Sequence, residues 1–369
     1  MTTKTKNLLL VCLMAALLFT LSLTSWFKAE DSYSDSERRL LASFPKLSRE
    51  TILSGKFMSD FELYTQDQFP LRESFRGLKA AAVFYGMGQL DNNELYMTQG
   101  HISQLSYPLN ERMTEHAAER FRFVYEKYLQ QSDAKLYFSI IPDKNYFLAE
   151  SGGYLHLDYD ELVSQMRQKT DYMEYIDIFP LLSIDDYYRT DSHWRQERVI
   201  PVSEALLLAM GAQPLENEYV LNTLSQPFYG VYSGQIALPV KPDSINYLTS
   251  AVLDNCIVTS YNTGRAQAAY MYDMQKAAGR DPYEMFLSGN DALITVENPA
   301  AKTDRELIVF RDSFGSSIVP LMAESYAKIT VVDLRYLNSA MLGSFIAFDD
   351  QDVLFLYSTM LLNNSLAIK

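Results

Sequence analysis

Cysteine is nearly absent from this 369-residue chain. One of its two cysteines, Cys12, lies inside an apolar run, so Cys256 has no intramolecular partner and a disulfide-stapled domain is excluded. Histidine is almost as scarce. His101, His116, His156 and His193 stand in unrelated contexts without ligand spacing, and no cysteine cluster accompanies them, so nothing calls for a metal or a cofactor. Positive charge is also short. With 32 Lys and Arg against 46 Asp and Glu the formal net charge is −14, which argues against a nucleic-acid partner and disfavours polyanionic ligands. There is no internal repeat and no long low-complexity tract. Tyrosine and phenylalanine are plentiful, at 26 and 20 copies, but core packing accounts for them as well as sugar binding does.

Uncharged runs of membrane-spanning length occur once, from Leu8 to Phe27, close to the roughly 20 residues that cross a bilayer. Lys4 and Lys6 precede it, whereas Lys28 is followed by Glu30 and Asp31; the positive-inside bias therefore places the amino terminus in the cytoplasm and the rest outside. A cleaved signal peptide is the alternative, but no Ala-x-Ala site is present and Thr20 and Ser22 serve weakly. The expectation is a single-pass protein of the cell membrane: a signal anchor over 1–28, a juxtamembrane stalk over 29–56, and an extracellular domain over 57–369. Outside the cell, the shortage of cysteine suits a Gram-positive surface protein.

Along that domain, Asn110 to Gln131 reads as an amphipathic helix leading into a strand at Leu136 to Ile141, which ends at Pro142-Asp143-Lys144. Asp160 to Met166 reads as helix and Tyr175 to Leu182 as strand or loop. Residues after His193 through Met210 look helical, with Pro201 demanding a kink or two short helices. Glu306 to Phe310, Ile329 to Leu334 and Val353 to Tyr357 are β-rich apolar runs separated by helical stretches, the mark of a parallel sheet covered on both faces. Between Gly211 and Pro299 the pattern loosens, and this stretch reads as an insertion that can roof a site.

Two constellations carry chemistry. In Tyr188-Arg189-Thr190-Asp191-Ser192-His193-Trp194 a carboxylate two residues upstream can orient an imidazole, fixing its tautomer while the far nitrogen faces a nucleophile. In Arg311-Asp312-Ser313-Phe314-Gly315-Ser316-Ser317 a serine follows a strand and precedes a helix running to Lys328, where N–H groups at the helix start face a developing oxyanion. Together they supply a Ser-His-Asp set for acyl transfer. Both also fit plainer roles, Asp312 and the serines as helix caps, Asp191 as a cap beside a surface histidine, and Trp194 as a core anchor.

These segments, with Asp67-Gln68-Phe69-Pro70-Leu71-Arg72 and Pro142-Asp143-Lys144 in this order, resemble the DHHW proteins of Gram-positive bacteria. Those in turn are similar to the alginate O-acetyltransferase (AlgX/AlgJ-like) branch of SGNH hydrolases. The resemblance spans about Asp60 to the end. It implies an SGNH-like three-layer α/β/α domain with a mainly parallel sheet and permuted motif order. It also implies an O-acetyltransferase or esterase for a cell-surface carbohydrate, with Ser313 as nucleophile, His193 as base and Asp191 as its orienting carboxylate. A transferase would take its acyl group from a membrane-bound acyltransferase partner; an esterase would act on an acylated glycan and need none. Ser192 stands where the family has the first of its two histidines, and Arg311 where SGNH proteins carry glycine, so Arg311 can contact substrate instead. Further substrate or oxyanion candidates are Trp194, Lys144, Gly289, Asn290 and Asn363, with Asn364 beside it. The competing class is a non-catalytic cell-surface binding or assembly protein retaining the fold.

Overall fold

The computed structural model describes residues 1–214 and 218–369, which divide into two compact units: 1–93 with 233–239, and 94–232 with 240–369.

The smaller unit begins with a 25-residue apolar helix, Thr3–Phe27, in which no residue is buried. The segment expected to be a stalk is tied down. Asp67 and Gln68, at the end of the Lys56–Asp67 helix, supply hydrogen bonds to a chain that has no periodic pattern of its own. The Asp67 carboxylate accepts from Arg39 (2.5 and 2.8 Å) and from the Ala42 N–H (2.9 Å), and Gln68 bonds both backbone groups of Asp31 and the Ala42 carbonyl. Order therefore starts well before Phe57, in a short ribbon pairing Tyr33–Ser34 with Arg39–Leu40.

The larger unit is built on an eight-stranded sheet. From edge to edge the strands are Gln267–Ala269, Ile257–Ser260, Leu293–Glu297, Lys328–Val332, Glu306–Arg311, Asp352–Ser358, Lys135–Ile141 and Glu174–Tyr175. The last five run parallel, and the first three add antiparallel. The apolar runs of the central strands are continuous because both faces are covered: every residue of Asp352–Ser358 is buried. Alternate residues serve different layers. Leu307 and Val309 pack with the helices Ile200–Ala209 and Gly315–Met322, whereas Ile308 and Phe310 pack with Glu111–Val124 and Tyr159–Lys169. This is an α/β/α arrangement in three layers.

Three expectations gain detail. The 211–299 stretch, read as an insertion, contributes the three antiparallel strands Ile257–Ser260, Gln267–Ala269 and Leu293–Glu297 to the sheet. The helix after Ser313 stops at Met322, because Lys328 already pairs in the sheet. Of the two readings of Pro201, two short helices hold: Gln196–Arg198 is followed by Ile200–Ala209, with Pro201 in the first turn of the latter, where its missing N–H costs nothing.

Phe355 sits at the centre of one layer, 4.5 Å from the Phe310 ring and 5.1 Å from that of Phe121, with no exposed surface. Phe355→Ala is expected to lower unfolding free energy by about 3–5 kcal/mol in a denaturant titration.

Candidate active site

The Tyr187–Trp194 segment is a closed loop, pinched by the Tyr188 N–H to His193 carbonyl bond (3.1 Å) and a bridge between Tyr187 and Trp194. Within it the Asp191 carboxylate is buried and fully engaged. Oδ1 accepts from the His193 ring Nδ1 (2.6 Å) and backbone N–H (3.1 Å), while Oδ2 accepts from the Val231 N–H (2.9 Å). With Nδ1 donating to the carboxylate, Nε2 is left as an acceptor, and it lies 2.8 Å from Ser313 Oγ. The structure thus brings together Asp191, His193 and Ser313 in one line of hydrogen bonds.

The imidazole is also held by its faces. The Tyr283 ring stacks on it with centroids 3.9 Å apart, and Phe314 packs at 4.9 Å. Burial raises the Tyr283 hydroxyl well above its usual range, so it remains a neutral donor or acceptor, bonded to Ser317 Oγ at 2.9 Å. The same Ser317 hydroxyl receives the Trp194 indole N–H (2.9 Å), which also reaches the Phe314 carbonyl (3.1 Å). Trp194 therefore joins the histidine loop to the serine turn. Being fully buried, it is a structural strut and offers no surface to a substrate.

Ser313 follows the Glu306–Arg311 strand and precedes the Gly315–Met322 helix. Asp312 shapes the turn: its carboxylate accepts the Phe314 N–H (3.0 Å) and, from the neighbouring strand, the Ser358 N–H (2.8 Å). The Gly315 N–H bonds the Asp312 carbonyl, whereas the Ser313 N–H has no protein acceptor among the described residues. Arg311 does not reach substrate. It is wholly buried beneath the turn, with Nη1 3.3 Å from Asp333 and Nη2 3.4 Å from the Gly289 carbonyl. The glycine that matters here is Gly315, where a Cβ would lie 2.6 Å from that of Arg311.

The remaining candidates are committed elsewhere. Asn290 donates to Glu284 (2.8 Å), and the Gly289 N–H closes a turn on the Phe286 carbonyl. The Asn363 side chain clasps the Pro108 carbonyl and the Asn110 N–H, and the Asn364 N–H bonds the Leu361 carbonyl. Lys144 offers no surface to a substrate: it is buried under the histidine loop. Residues that the sequence reading missed are Tyr283, Val231 and Asp243, the last accepting both the Arg189 and Thr190 N–H groups and the Thr190 hydroxyl. All three fall in the 211–299 stretch, whose loose pattern marked none of them individually.

No protein-family model and no curated protein sequence matches this chain. Solved structures do share its fold. A DHHW family protein from Eubacterium siraeum superposes with TM-score 0.59 at 21% identity, covering 75% of this chain and 95% of its own. Bacillus cereus PatB1, in a structure with a sulfonyl adduct, gives 0.58 at 18% identity over 73% and 95%. The O-acetyltransferase domain of Pseudomonas putida AlgJ aligns at 0.46 and 14% identity over 73% and 92%. The likeness to DHHW proteins read from the motifs is thus matched by the fold.

Gly230 lets the 228–231 backbone press on Asp191: a Cβ there would stand 2.4 Å from Asp191 Cβ and 2.4 Å from the Thr190 carbonyl oxygen. Gly230→Ala is expected to displace the Asp191 carboxylate and slow covalent labelling of Ser313 by a sulfonyl fluoride roughly tenfold or more, read by intact mass against time.

Proposed function

We propose that the larger unit is a serine-dependent O-acyl transferase or esterase acting outside the cell on a carbohydrate hydroxyl or its ester. The helix Thr3–Phe27 would hold it at the cell membrane. The observation that carries this reading is the Asp191, His193, Ser313 line, with both His193 nitrogens at hydrogen-bond distance from their partners. Ser313 Oγ attacks an acyl carbonyl as its proton passes to His193 Nε2. The imidazolium is stabilised by Asp191, and the oxyanion meets the free Ser313 N–H at the start of a helix. Collapse expels the alcohol with that proton and leaves an acyl ester on Ser313. A sugar hydroxyl then takes the acyl group in a transferase, and water takes it in an esterase, His193 again removing the proton. The acetyl group is the simplest cargo, and transfer would need a membrane-bound acyltransferase to deliver it.

The net charge of −14 disfavours a polyanionic acceptor and suits a neutral one. PatB1, which shares the fold, carries a sulfonyl adduct in its structure, and that chemistry makes a direct probe. Full-length protein in detergent is expected to gain one sulfonyl adduct, absent in Ser313→Ala. Asp191→Asn should cut turnover of an aryl acetate on the order of 10³–10⁴-fold by leaving the wrong imidazole tautomer. Acetylated oligosaccharide among the products identifies a transferase, and acetate alone an esterase. A folded protein that takes no adduct would be a binding or assembly module.

A further inference from the structure

Lys144 lies at the start of the Lys144–Gly152 helix, directly after the carboxyl end of the Lys135–Ile141 strand. Its ammonium is enclosed by four backbone carbonyls. Nζ donates to the oxygens of Tyr188 (2.8 Å), Arg189 (3.0 Å) and Asp191 (3.0 Å), and to that of Ile102. No carboxylate bonds it directly. Three of these carbonyls belong to the histidine loop, and the Ile102 N–H returns a bond to the Arg189 carbonyl (2.8 Å), closing the cradle. Four converging carbonyl dipoles repel one another unless a cation sits among them, so the lysine does here what a bound metal cation does in other loops.

We propose that Lys144 is a positioning residue for the triad: its ammonium holds the carbonyls of 188–191 in convergence and thereby aims the Asp191 carboxylate at His193. The proposal rests on the triad reading above. Lys144 touches neither the serine nor the imidazole, and acts through the loop whose carboxylate fixes the tautomer. Its companions define the local charge. Asp191 and Asp243 favour the ammonium; the Tyr232 ring lies 5.5 Å away; Asp143 precedes it in the chain; Arg189, whose carbonyl it holds, carries a like charge on the same loop. Buried His101, on the strand that supplies Ile102, is pushed down to about 4 by burial and by the Lys144 charge, so it is neutral. Burial lowers Lys144 itself to about 7. Alkaline conditions therefore remove the charge, leaving two N–H groups for four carbonyls, and the loop loosens as pH rises.

The test compares wild type, Lys144→Ala and Lys144→Met, all full-length in detergent, by the rate of Ser313 sulfonylation from below neutrality to about pH 9.5. In that step Ser313 Oγ bonds sulfur, fluoride leaves, and the serine proton passes to His193. Folded variants are expected to react about 100-fold more slowly and to lack the alkaline fall shown by wild type. Propylammonium at millimolar concentration should restore at least a tenfold gain in Lys144→Ala by refilling the cradle, while tetramethylammonium, which has no N–H, should not. A wild-type rate in either folded variant, or equal rescue by both amines, overturns the proposal. If neither variant folds, wild type decides: reactivity that stays flat through about pH 9.5 overturns it. The low-field proton resonance of the His193 Nδ1–H separates this from failure of the triad reading. Absence of any adduct in wild type sinks the triad, yet the resonance still tests the lysine, since it must weaken or move in Lys144→Ala.

Discussion

A single indole N–H, that of Trp194, spans the two halves of the site. The loop carrying Asp191 and His193 and the turn carrying Ser313 are separated by 120 residues and rest on different elements, so nothing local fixes their distance. Trp194 is next in sequence to His193, and its ring reaches both the carbonyl of Phe314, next to Ser313, and the hydroxyl of Ser317 one turn further on. A flat side chain with two torsions, edge-on to Phe314 at 5.4 Å, loses little entropy on being fixed and transmits position well. Ser317 completes the joint by bonding Tyr283, whose ring covers the imidazole face. The 2.8 Å contact of His193 with Ser313 is therefore set by buried neighbours on both sides, and requires no movement of either loop.

The sheet determines which residues can meet there. The strands Glu306–Arg311, Asp352–Ser358 and Lys135–Ile141 are adjacent and parallel, so the residues beyond their carboxyl ends emerge on one edge: Ser313, Ser358 with Thr359, and Asp143 with Lys144. Their side chains interlock across strands. Asp312 takes the Ser358 N–H, and Asp143, held at its other oxygen by Tyr159, accepts the Thr359 hydroxyl (2.9 Å). Burial holds the Asp143 carboxyl above its usual range, against hydrogen bonds from Tyr159, Thr359 and Ser106 that act to lower it.

Much of this was legible in the chain because it depends on local pattern. The continuous apolar runs of the central strands name a sheet buried on both faces, and an aspartate two residues before a histidine can be matched to its partner without tertiary information. What was not legible depends on partners distant in sequence. Nothing in the sequence around Lys144 marks it as buried, and only the carbonyls of 188–191 make it a buried cation. Asp243 and Val231 stand in irregular segments with no motif to mark them. Asn290 and Asn363 had the right chemistry for an oxyanion, but an amide is claimed by whichever backbone it meets first in the fold, and both meet turns. The 31–42 segment looked unstructured because its order comes from the side chains of Asp67 and Gln68, which leave no period behind.

Buried charge is the costly part of this design, and much of it lies under the serine turn and the histidine loop. Beneath the serine turn, Arg311 and Arg335 share Asp333, with Arg335 Nη2 at 2.6 Å, and Asp312 lies beside them spending its oxygens on backbone N–H groups. Beneath the histidine loop, Lys144 faces Asp191 and Asp243. Each cation thus stands near an anion, and the carboxylates are largely consumed by bonds to backbone. Replacing such groups with apolar side chains of equal volume often leaves a fold no less stable. Hydrophobic packing, however, lacks direction, and cannot dictate where a carbonyl or an N–H points. In this unit Lys144, Arg311, Asp312 and Asp333 lie under the two segments that carry His193 and Ser313, and there they fix the direction of backbone groups that apolar packing would leave free.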